Sequence, residues 1–223
     1  MHLIVVRHGE KASEVDKVGW ERECKRHCER SDRTYGHMKL DPPITSKGIS
    51  MAKEAADTIK QIQDNMEGNE INAVYSSRML RAVMTAYPIA KKLSLPLVVS
   101  RGLARSVSNV RSIEKDGGFD FNSFERLSEY CKGVTVVDAD AESEPMISQD
   151  SWIRACGDVA RLAAASASTG LVVGHREIPR GLADDKNLPA PHCCIYTFDV
   201  ADTGSDKSDY SVVHGFARNG IRL

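Results

Sequence analysis

Two histidines and two arginines have the side-chain chemistry to transfer a phosphoryl group. They are Arg7, His8, Arg81 and His175. A neutral imidazole is a good nucleophile toward phosphorus near neutral pH. Guanidinium groups are planar, permanently charged and matched to phosphate oxygens. The four residues therefore predict phosphoryl transfer, provided that the fold brings them together.

Strands that alternate with helices are predicted to position these four residues. Short apolar runs predict strands at residues 3–6, 71–75, 97–99, 171–173, 194–200 and 210–213. Apolar residues at helical spacing predict helices at residues 46–64, 80–90, 122–132 and 151–163. This alternation indicates a three-layer α/β/α sandwich with a mostly parallel sheet. Ligands of such sheets bind at the carboxyl ends of strands, so we expect one shared site there.

The chain length predicts a single domain with an insertion. The 223 residues suit one domain, over residues 1–223. Residues 101–149 contain the break Gly117-Gly118 and are expected to form a helical insertion over the strand ends. Residues 11–39 are polar and lack clear periodicity, so we expect a long loop with at most one short helix near residues 20–28.

Composition excludes several classes of protein. Lysine and arginine number 30 against 31 acidic residues, which argues against a nucleic-acid partner. No apolar run approaches the roughly 20 residues of a membrane helix, so no anchor or signal peptide is expected. The 6 cysteines lack a framework spacing and are read as free thiols, so we expect a cytoplasmic protein. The sequence leaves the oligomeric state open.

The order of four motifs resembles that of the histidine phosphatase superfamily, in its phosphoglycerate-mutase-like branch. The motifs are Arg7-His8-Gly9-Glu10; Asp41-Pro42-Pro43-Ile44-Thr45 with Gly48 and Ala52; Ser76-Ser77 with Arg81-Ala82 and Thr85-Ala86; and Gly174-His175. Within the branch, the chain is similar to the group of suppressor-of-T-cell-signalling tyrosine phosphatases and insect ecdysteroid-phosphate phosphatases. That group also carries a long tryptophan-containing segment between the first motif and the Asp-Pro-Pro turn.

The resemblance implies a role for each matching residue. His8 would be the nucleophile that forms a phosphohistidine, and Arg7, Arg81 and His175 would hold the phosphate. Lys11 stands where the group often has an arginine, and it is expected to bind substrate together with Glu10 and Arg176. Neither a cofactor nor a metal is expected, because the arginines supply the positive charge that a metal would supply.

The sequence departs from the family at the general acid. The family usually has an acidic residue about two dozen positions after the second arginine, and it protonates the leaving group. Ala104 and Arg105 occupy that place here. The nearest later acid is Glu114, which becomes the candidate acid. Either Glu114 or another carboxylate such as Glu10 fills the role, or the enzyme lacks its general acid.

These residues predict a metal-independent phosphomonoester hydrolase that acts through a phosphohistidine. Its substrate would be a phosphorylated small molecule or a phosphoprotein. One alternative is a catalytically impaired phosphatase fold that serves as a protein-binding module, which Arg105 and the long segment 11–39 favour. A phosphoglycerate mutase is less favoured, because the polar residues that usually follow the first motif in mutases are lacking.

Overall fold

The computed structural model describes residues 2–28, 40–66, 68, 70–104, 124–139, 168–201, 209–217 and 221–222. The predicted helix at residues 151–163 lies outside them, as do Arg105 and Glu114. The described elements are β1 (His2–Arg7), α1 (Ala12–Val15), α2 (Lys17–Cys28), α3 (Ser46–Asp64), β2 (Ile71–Ser77), α4 (Leu80–Leu93), β3 (Leu97–Ser100), α5 (Phe124–Tyr130), β4 (Val136–Asp138), β5 (Thr169–Gly174), α6 (Glu177–Leu182), β6 (Ile195–Ala201), β7 (Asp209–Ala217) and β8 (Ile221–Arg222).

The described strands form an eight-stranded sheet in the order β4-β3-β2-β5-β1-β6-β7-β8. The five strands from β4 to β1 are parallel. Strands β6, β7 and β8 continue the sheet in antiparallel fashion. In the register of β1 with β5, Arg7 lies opposite Gly174. The residues that follow, His8 and His175, therefore leave the sheet side by side at the carboxyl ends of these strands.

Apolar side chains of β1 alternate between two separate cores. Ile4 and Val6 belong to the core formed with α3 and α4, whereas Leu3 and Val5 belong to a second core that includes Ile178 of α6. Successive strand residues point to opposite faces of a sheet, so each face of β1 buries its own layer. The predicted three-layer α/β/α sandwich with a mostly parallel sheet is confirmed.

Close backbone contact ties the segment after β1 to the start of α3. The Thr45 hydroxyl accepts the Gly48 N–H at 3.0 Å and caps the helix. The Thr45 N–H donates to the Glu10 carbonyl at 2.8 Å, and Lys11 pairs with Ile44 in an antiparallel bridge. The Asp-Pro-Pro segment therefore lies beside the first motif.

Residues 12–28 form two helices, so the prediction of a loop with one short helix near residues 20–28 was wrong for this part. The Asp16 carboxylate accepts the Gly19 N–H at 2.8 Å, which favours the start of α2. Trp20 and Cys24 are both buried and four residues apart, so one side of α2 packs against the protein. Residues 29–39 lie outside the described part of the chain.

Within residues 101–149, the described part 124–139 supplies a helix and a strand at the sheet edge. Helix α5 falls inside the predicted range 122–132, and its Leu127 joins the core beside α4. Strand β4 pairs in parallel with β3, a contact that the sequence pattern did not indicate. The expected insertion over the strand ends otherwise falls on residues 105–123 and 140–149, outside the described ranges. No helix in the described ranges is long and apolar enough to cross a membrane.

Candidate active site

His8 emerges from β1 as a buried imidazole whose reactive nitrogen is set by one hydrogen bond. Its Nδ1 lies 2.8 Å from the Gly9 carbonyl oxygen. Because a carbonyl only accepts, Nδ1 carries the proton and Nε2 keeps its lone pair. Burial, followed by the neighbouring Arg81 and His175, lowers the pKa of His8 well below its ordinary value. His8 is therefore neutral near pH 7, as a nucleophile must be.

The turn after His8 is fixed between α3 and α4. The Gly9 N–H donates to the Thr85 hydroxyl at 2.9 Å, and that hydroxyl donates to the Arg81 carbonyl at 2.8 Å. A Cβ on Gly9 would lie 2.8 Å from the Gly48 carbonyl oxygen, which is too close for any other residue. Glycine is needed here so that the first motif can lie directly against α3.

Arg81 lies in the first turn of α4, with a buried carboxylate nearby. Its guanidinium donates to the Leu40 carbonyl at 3.3 Å and to the Met79 sulfur at 3.0 Å. The Asp41 carboxylate lies 3.8 Å from the same guanidinium and accepts the Leu80 N–H at 2.7 Å. Asp41 thus contacts both the helix start and Arg81, a role that its position before two prolines did not reveal.

His175 has a defined neighbour at each ring nitrogen. Its ring centroid lies 5.4 Å from that of His8, edge to face. Nε2 lies 3.0 Å from the Ser77 hydroxyl, and Nδ1 lies 3.5 Å from an Arg81 nitrogen, at the outer limit of a hydrogen bond. Since Arg81 can only donate, Nδ1 accepts and Nε2 donates to Ser77.

Arg7 places a mostly buried guanidinium beside His8. One terminal nitrogen donates to the Ala190 carbonyl, and the other lies 3.0 Å from His192 Nε2. Within the described residues, the buried Nε–H of Arg7 has no hydrogen-bond partner. Buried donors are normally paired, so an unpaired one in a cationic cavity indicates a site for an anion.

His192 and Glu14 also belong to this site, and sequence reasoning missed both. The His192 ring lies 5.8 Å from the His8 ring, and its Nε2 lies 2.7 Å from Glu14 Oε2. The same nitrogen faces Arg7, but it cannot accept from Arg7 and donate to Glu14 at once. When His192 donates to Glu14, its Nε2 no longer accepts the facing Arg7 N–H.

These side chains meet in one cavity of about 60 Å³. It is lined by six residues that the sequence singled out, Arg7, His8, Lys11, Arg81, His175 and Arg176, and by the carboxylates Glu14 and Glu177. Four of these side chains are cationic and two are carboxylates, so the cavity is locally positive although the chain carries a net charge of -1. A second cavity of about 270 Å³ adjoins it and shares Lys11 and Arg81. Its remaining lining residues are Ser13, Lys17, Trp20, Glu21, Leu40 and Pro42.

The remaining predicted residues lie as follows. The Glu10 carboxylate accepts from Thr45 Oγ1 at 3.0 Å and Lys47 Nζ at 3.1 Å, and Glu10 is absent from the described cavity lining. Arg176 borders the cavity and pairs with Glu177 at 3.3 Å. Ala104, at the family's acid position, is buried and has no ionisable group. Glu114, the candidate acid, falls outside the described residues.

Sequence comparison agrees with the motifs. Residues 3–106 match the histidine phosphatase superfamily (branch 1). Ubiquitin-associated and SH3 domain-containing protein A of Mus musculus is 29% identical over 107 residues, which cover 42% of this chain and 16% of that protein. Its counterpart in Homo sapiens is also 29% identical over 107 residues, 15% of its length. The match thus spans about one sixth of these curated relatives, and the resemblance to the superfamily is confirmed.

Comparison with solved structures gives the same fold. The ecdysone phosphate phosphatase of Bombix mori, in complex with tungstate, aligns with a TM-score of 0.56 and 18% identity, covering 95% of this chain and 91% of that chain. A mycobacterial glucosyl-3-phosphoglycerate phosphatase with bound VO3 aligns with a TM-score of 0.52 and 16% identity, covering 95% and 97%. At these identities the likeness establishes the fold, which both phosphatases share with this chain.

Proposed function

We propose that this chain hydrolyses phosphomonoesters through a phosphohistidine on His8, because residues 3–106 match the histidine phosphatase superfamily (branch 1) and its fold is shared with two phosphatases. The observation that carries the proposal is the neutral His8 imidazole, with its Nδ1 proton held by the Gly9 carbonyl and Nε2 left unprotonated. Around it, Arg7, Arg81 and His175 line the same small cavity. No metal takes part in this scheme.

The first chemical step transfers the phosphoryl group to His8. Nε2 attacks phosphorus, the bond from phosphorus to the ester oxygen breaks, and that oxygen leaves with the electron pair. Arg7 and Arg81 neutralise the charge spread over the equatorial oxygens, and the His175 ring lines the same cavity. Water then attacks the phosphohistidine, and the P–N bond breaks to regenerate His8 and release inorganic phosphate.

The rest of the substrate would occupy the adjoining cavity. Trp20, Leu40 and Pro42 give that cavity an apolar part, whereas Lys11 and Lys17 give it positive charge. These residues favour a partly apolar leaving group, on either a phosphorylated small molecule or a phosphoprotein. Phosphatases with bound tungstate and VO3, which are phosphate-like oxyanions, share the fold and support an oxyanion site in this chain.

Replacement of the nucleophile tests the proposal. We expect the wild-type protein to turn over p-nitrophenyl phosphate and His8→Ala to lose roughly 10⁴-fold or more of that rate. His2→Ala, at the opposite end of β1, is the matched histidine control and should retain the rate. Thermal unfolding of each variant would verify that it is folded. Turnover by folded His8→Ala at the wild-type rate would overturn the proposed role of His8.

A further inference from the structure

Hydrolysis of a phosphohistidine requires a group that accepts a proton from water, and two described carboxylates line the cavity with His8. They are Glu14 and Glu177. Glu177 lies beside Arg176, on the side of the cavity formed by the start of α6. Glu10 is bound to Thr45 and Lys47 at the start of α3. Among the carboxylates in the described part of the chain, the choice is therefore between Glu14 and Glu177.

Of these two, Glu14 contacts a residue whose ring lies next to the ring of His8. Its Oε2 lies 2.7 Å from His192 Nε2, and the His192 ring lies 5.8 Å from the His8 ring. Its Oε1 lies 3.2 Å from Lys11 Nζ and 3.8 Å from Arg7 Nη2. The Glu14 side chain is 37% exposed, so water can reach it. Three neighbours thus orient this carboxylate at the rim of the phosphate cavity.

We propose that Glu14, oriented by His192, is the base that takes a proton from the water attacking the phosphohistidine. The inference rests on the proposed function and assigns its second step. A general base must reach its proton directly or through one water. Glu14 borders the same cavity as His8, which supports its assignment to this step. His192 is a positioning residue, since it contacts both Glu14 and Arg7.

The proposed step conserves atoms and charge. The water oxygen bonds to phosphorus as the bond from phosphorus to His8 Nε2 breaks, and the electron pair of that bond returns to Nε2. One water proton passes to the Glu14 carboxylate, and the other stays on the product phosphate. Glu14 later returns its proton to solvent, and His8 keeps the Nδ1 proton that faces the Gly9 carbonyl throughout.

The charges around Glu14 favour a base over an acid. Burial would raise the pKa of Glu14, but Lys11, His192 and Arg7 outweigh burial and hold that pKa below its ordinary value. The carboxylate is therefore ionised at neutral pH and ready to accept a proton. For the same reason it is a poor proton donor to the leaving group in the first step.

Rapid-quench kinetics of Glu14→Gln with p-nitrophenyl phosphate separate the two steps. Nitrophenolate leaves without a proton, so the burst of nitrophenol should keep its wild-type rate within about threefold. Loss of the base should slow breakdown of the phosphohistidine about 10²-fold or more. Phosphohistidine should then accumulate to nearly one per chain during turnover. A slowed burst of nitrophenol with no accumulation of phosphohistidine would overturn the role of Glu14. Wild-type rates in both steps would overturn it as well.

Glu177→Gln is the matched carboxylate variant in the same cavity. We expect its phosphohistidine level during turnover to rise far less than that of Glu14→Gln. Accumulation in Glu177→Gln, with none in Glu14→Gln, would assign the base to Glu177 and overturn the proposal. Either outcome leaves the proposed function intact, because that function fails only if His8 is not phosphorylated at all.

Variants of His192 test the positioning role. His192→Ala should raise the phosphohistidine level less than Glu14→Gln does, and His192→Asn should partly restore breakdown, because its amide can still donate to Glu14. The double variant of Glu14→Gln with His192→Ala should break down its phosphohistidine no more slowly than Glu14→Gln alone does, since the two residues act as one unit. Additive effects of the two substitutions would contradict this coupling.

Discussion

The hydrogen bond between His8 Nδ1 and the Gly9 carbonyl decides which ring nitrogen reacts. The acceptor is a backbone carbonyl, so a side-chain substitution cannot remove it. The Gly9 N–H, which belongs to the preceding peptide, donates to the Thr85 hydroxyl and so holds the same residue from its other side. Orientation of the nucleophile therefore depends on the backbone of the first motif and on one hydroxyl from α4.

Arg81 should contribute strongly to stabilisation of the transition state. It is buried, lies in the same cavity as His8, and provides a permanent positive charge. We expect Arg81→Ala to lower kcat/KM for an aryl phosphate, with a loss of transition-state stabilisation of about 3 kcal/mol. Arg81→Lys should recover only part of this loss, because a lysine cannot form the planar fork. An unchanged kcat/KM in folded Arg81→Ala would remove Arg81 from the mechanism.

His8 should make the protein less stable in acid. Burial, together with Arg81 and His175, lowers its pKa in the folded state, whereas an unfolded histidine has a pKa of about 6.5. Between the lowered pKa and about 6.5, the unfolded chain binds more protons, so the free energy of unfolding falls as pH falls.

Urea unfolding of the wild type and of His8→Asn at pH 7.5 and pH 5 would measure this linkage. The wild type should lose more stability between the two pH values than His8→Asn does. Carboxylates that also titrate in this range are present in both proteins and cancel in the comparison. Identical pH dependence of the two proteins would show that His8 does not resist protonation.

At the scale of elements, the contact between the first motif and α3 leaves no room for a side chain. A Cβ on Gly48 would lie 2.6 Å from the Glu10 carbonyl oxygen and 2.9 Å from Ile44 Cβ. The first of these neighbours is backbone, so it cannot move without shifting the segment that follows His8. The close approach of two glycines, Gly9 and Gly48, is thus part of how α3 supports the nucleophile.

Gly48→Ala should therefore destabilise the protein, although alanine normally favours a helix over glycine by roughly 0.5–1 kcal/mol. We expect a net loss of about 1–3 kcal/mol in the free energy of unfolding, measured by urea denaturation. Ser50→Ala, an exposed position of the same helix, is the control and should change stability little. A more stable Gly48→Ala variant would contradict the close contact.

At the scale of the whole molecule, the order of the strands assembles the site. The parallel register of β1 with β5 brings His8 beside His175, and β2, the other neighbour of β5, leads into the turn before Arg81. On the other side of β1, the Arg7 carbonyl accepts the Cys193 N–H at 3.1 Å, which places His192 near Arg7. Residues from distant parts of the chain thus meet at the carboxyl ends of central strands.

The absence of an acid at Ala104 and Arg105 should limit the leaving groups that the protein accepts. Aryl phosphates should be turned over, whereas simple alkyl phosphates should be slower by about 10²–10⁴-fold, since an alkoxide needs a proton to leave. Rates measured against leaving-group pKa should show a steep slope. Arg105→Glu should raise turnover of alkyl phosphates more than that of aryl phosphates.

The same series in Glu114→Gln distinguishes the remaining explanation. A shallow slope in the wild type that steepens in Glu114→Gln would identify Glu114 as the acid and contradict the expectation of a missing one. A steep slope in both proteins would agree with that expectation.

The sequence predicts the central strands and the main residues of the site because their signals are local. Buried strands such as β1 and β5 are short apolar runs, and each ends directly at a polar motif. Helix α3 spans Ser46–Asp64, which matches the range predicted from its apolar spacing and cap. These features depend on neighbouring residues only, so they can be recognised without the fold.

Other features depend on contacts between distant residues and could not be predicted. Strand β4 has three residues and exists because it pairs with β3. Glu14 lies on the four-residue helix α1, whose sequence is polar and too short to show periodicity. His192 enters the site only because the chain that follows it runs antiparallel beside β1. No local pattern marks any of these three.

Phosphorylation of His8 is the central claim, and mapping of the phosphoryl group tests it most directly. The wild type would be mixed with p-nitrophenyl phosphate, quenched in alkali within the first turnover, digested and examined by mass spectrometry, with phosphorus NMR of the quenched protein to identify the nitrogen. We predict one phosphoryl group per chain, on Nε2 of His8, and none in His8→Asn. Turnover with no phosphohistidine, or with the phosphoryl group on another residue, would contradict the account.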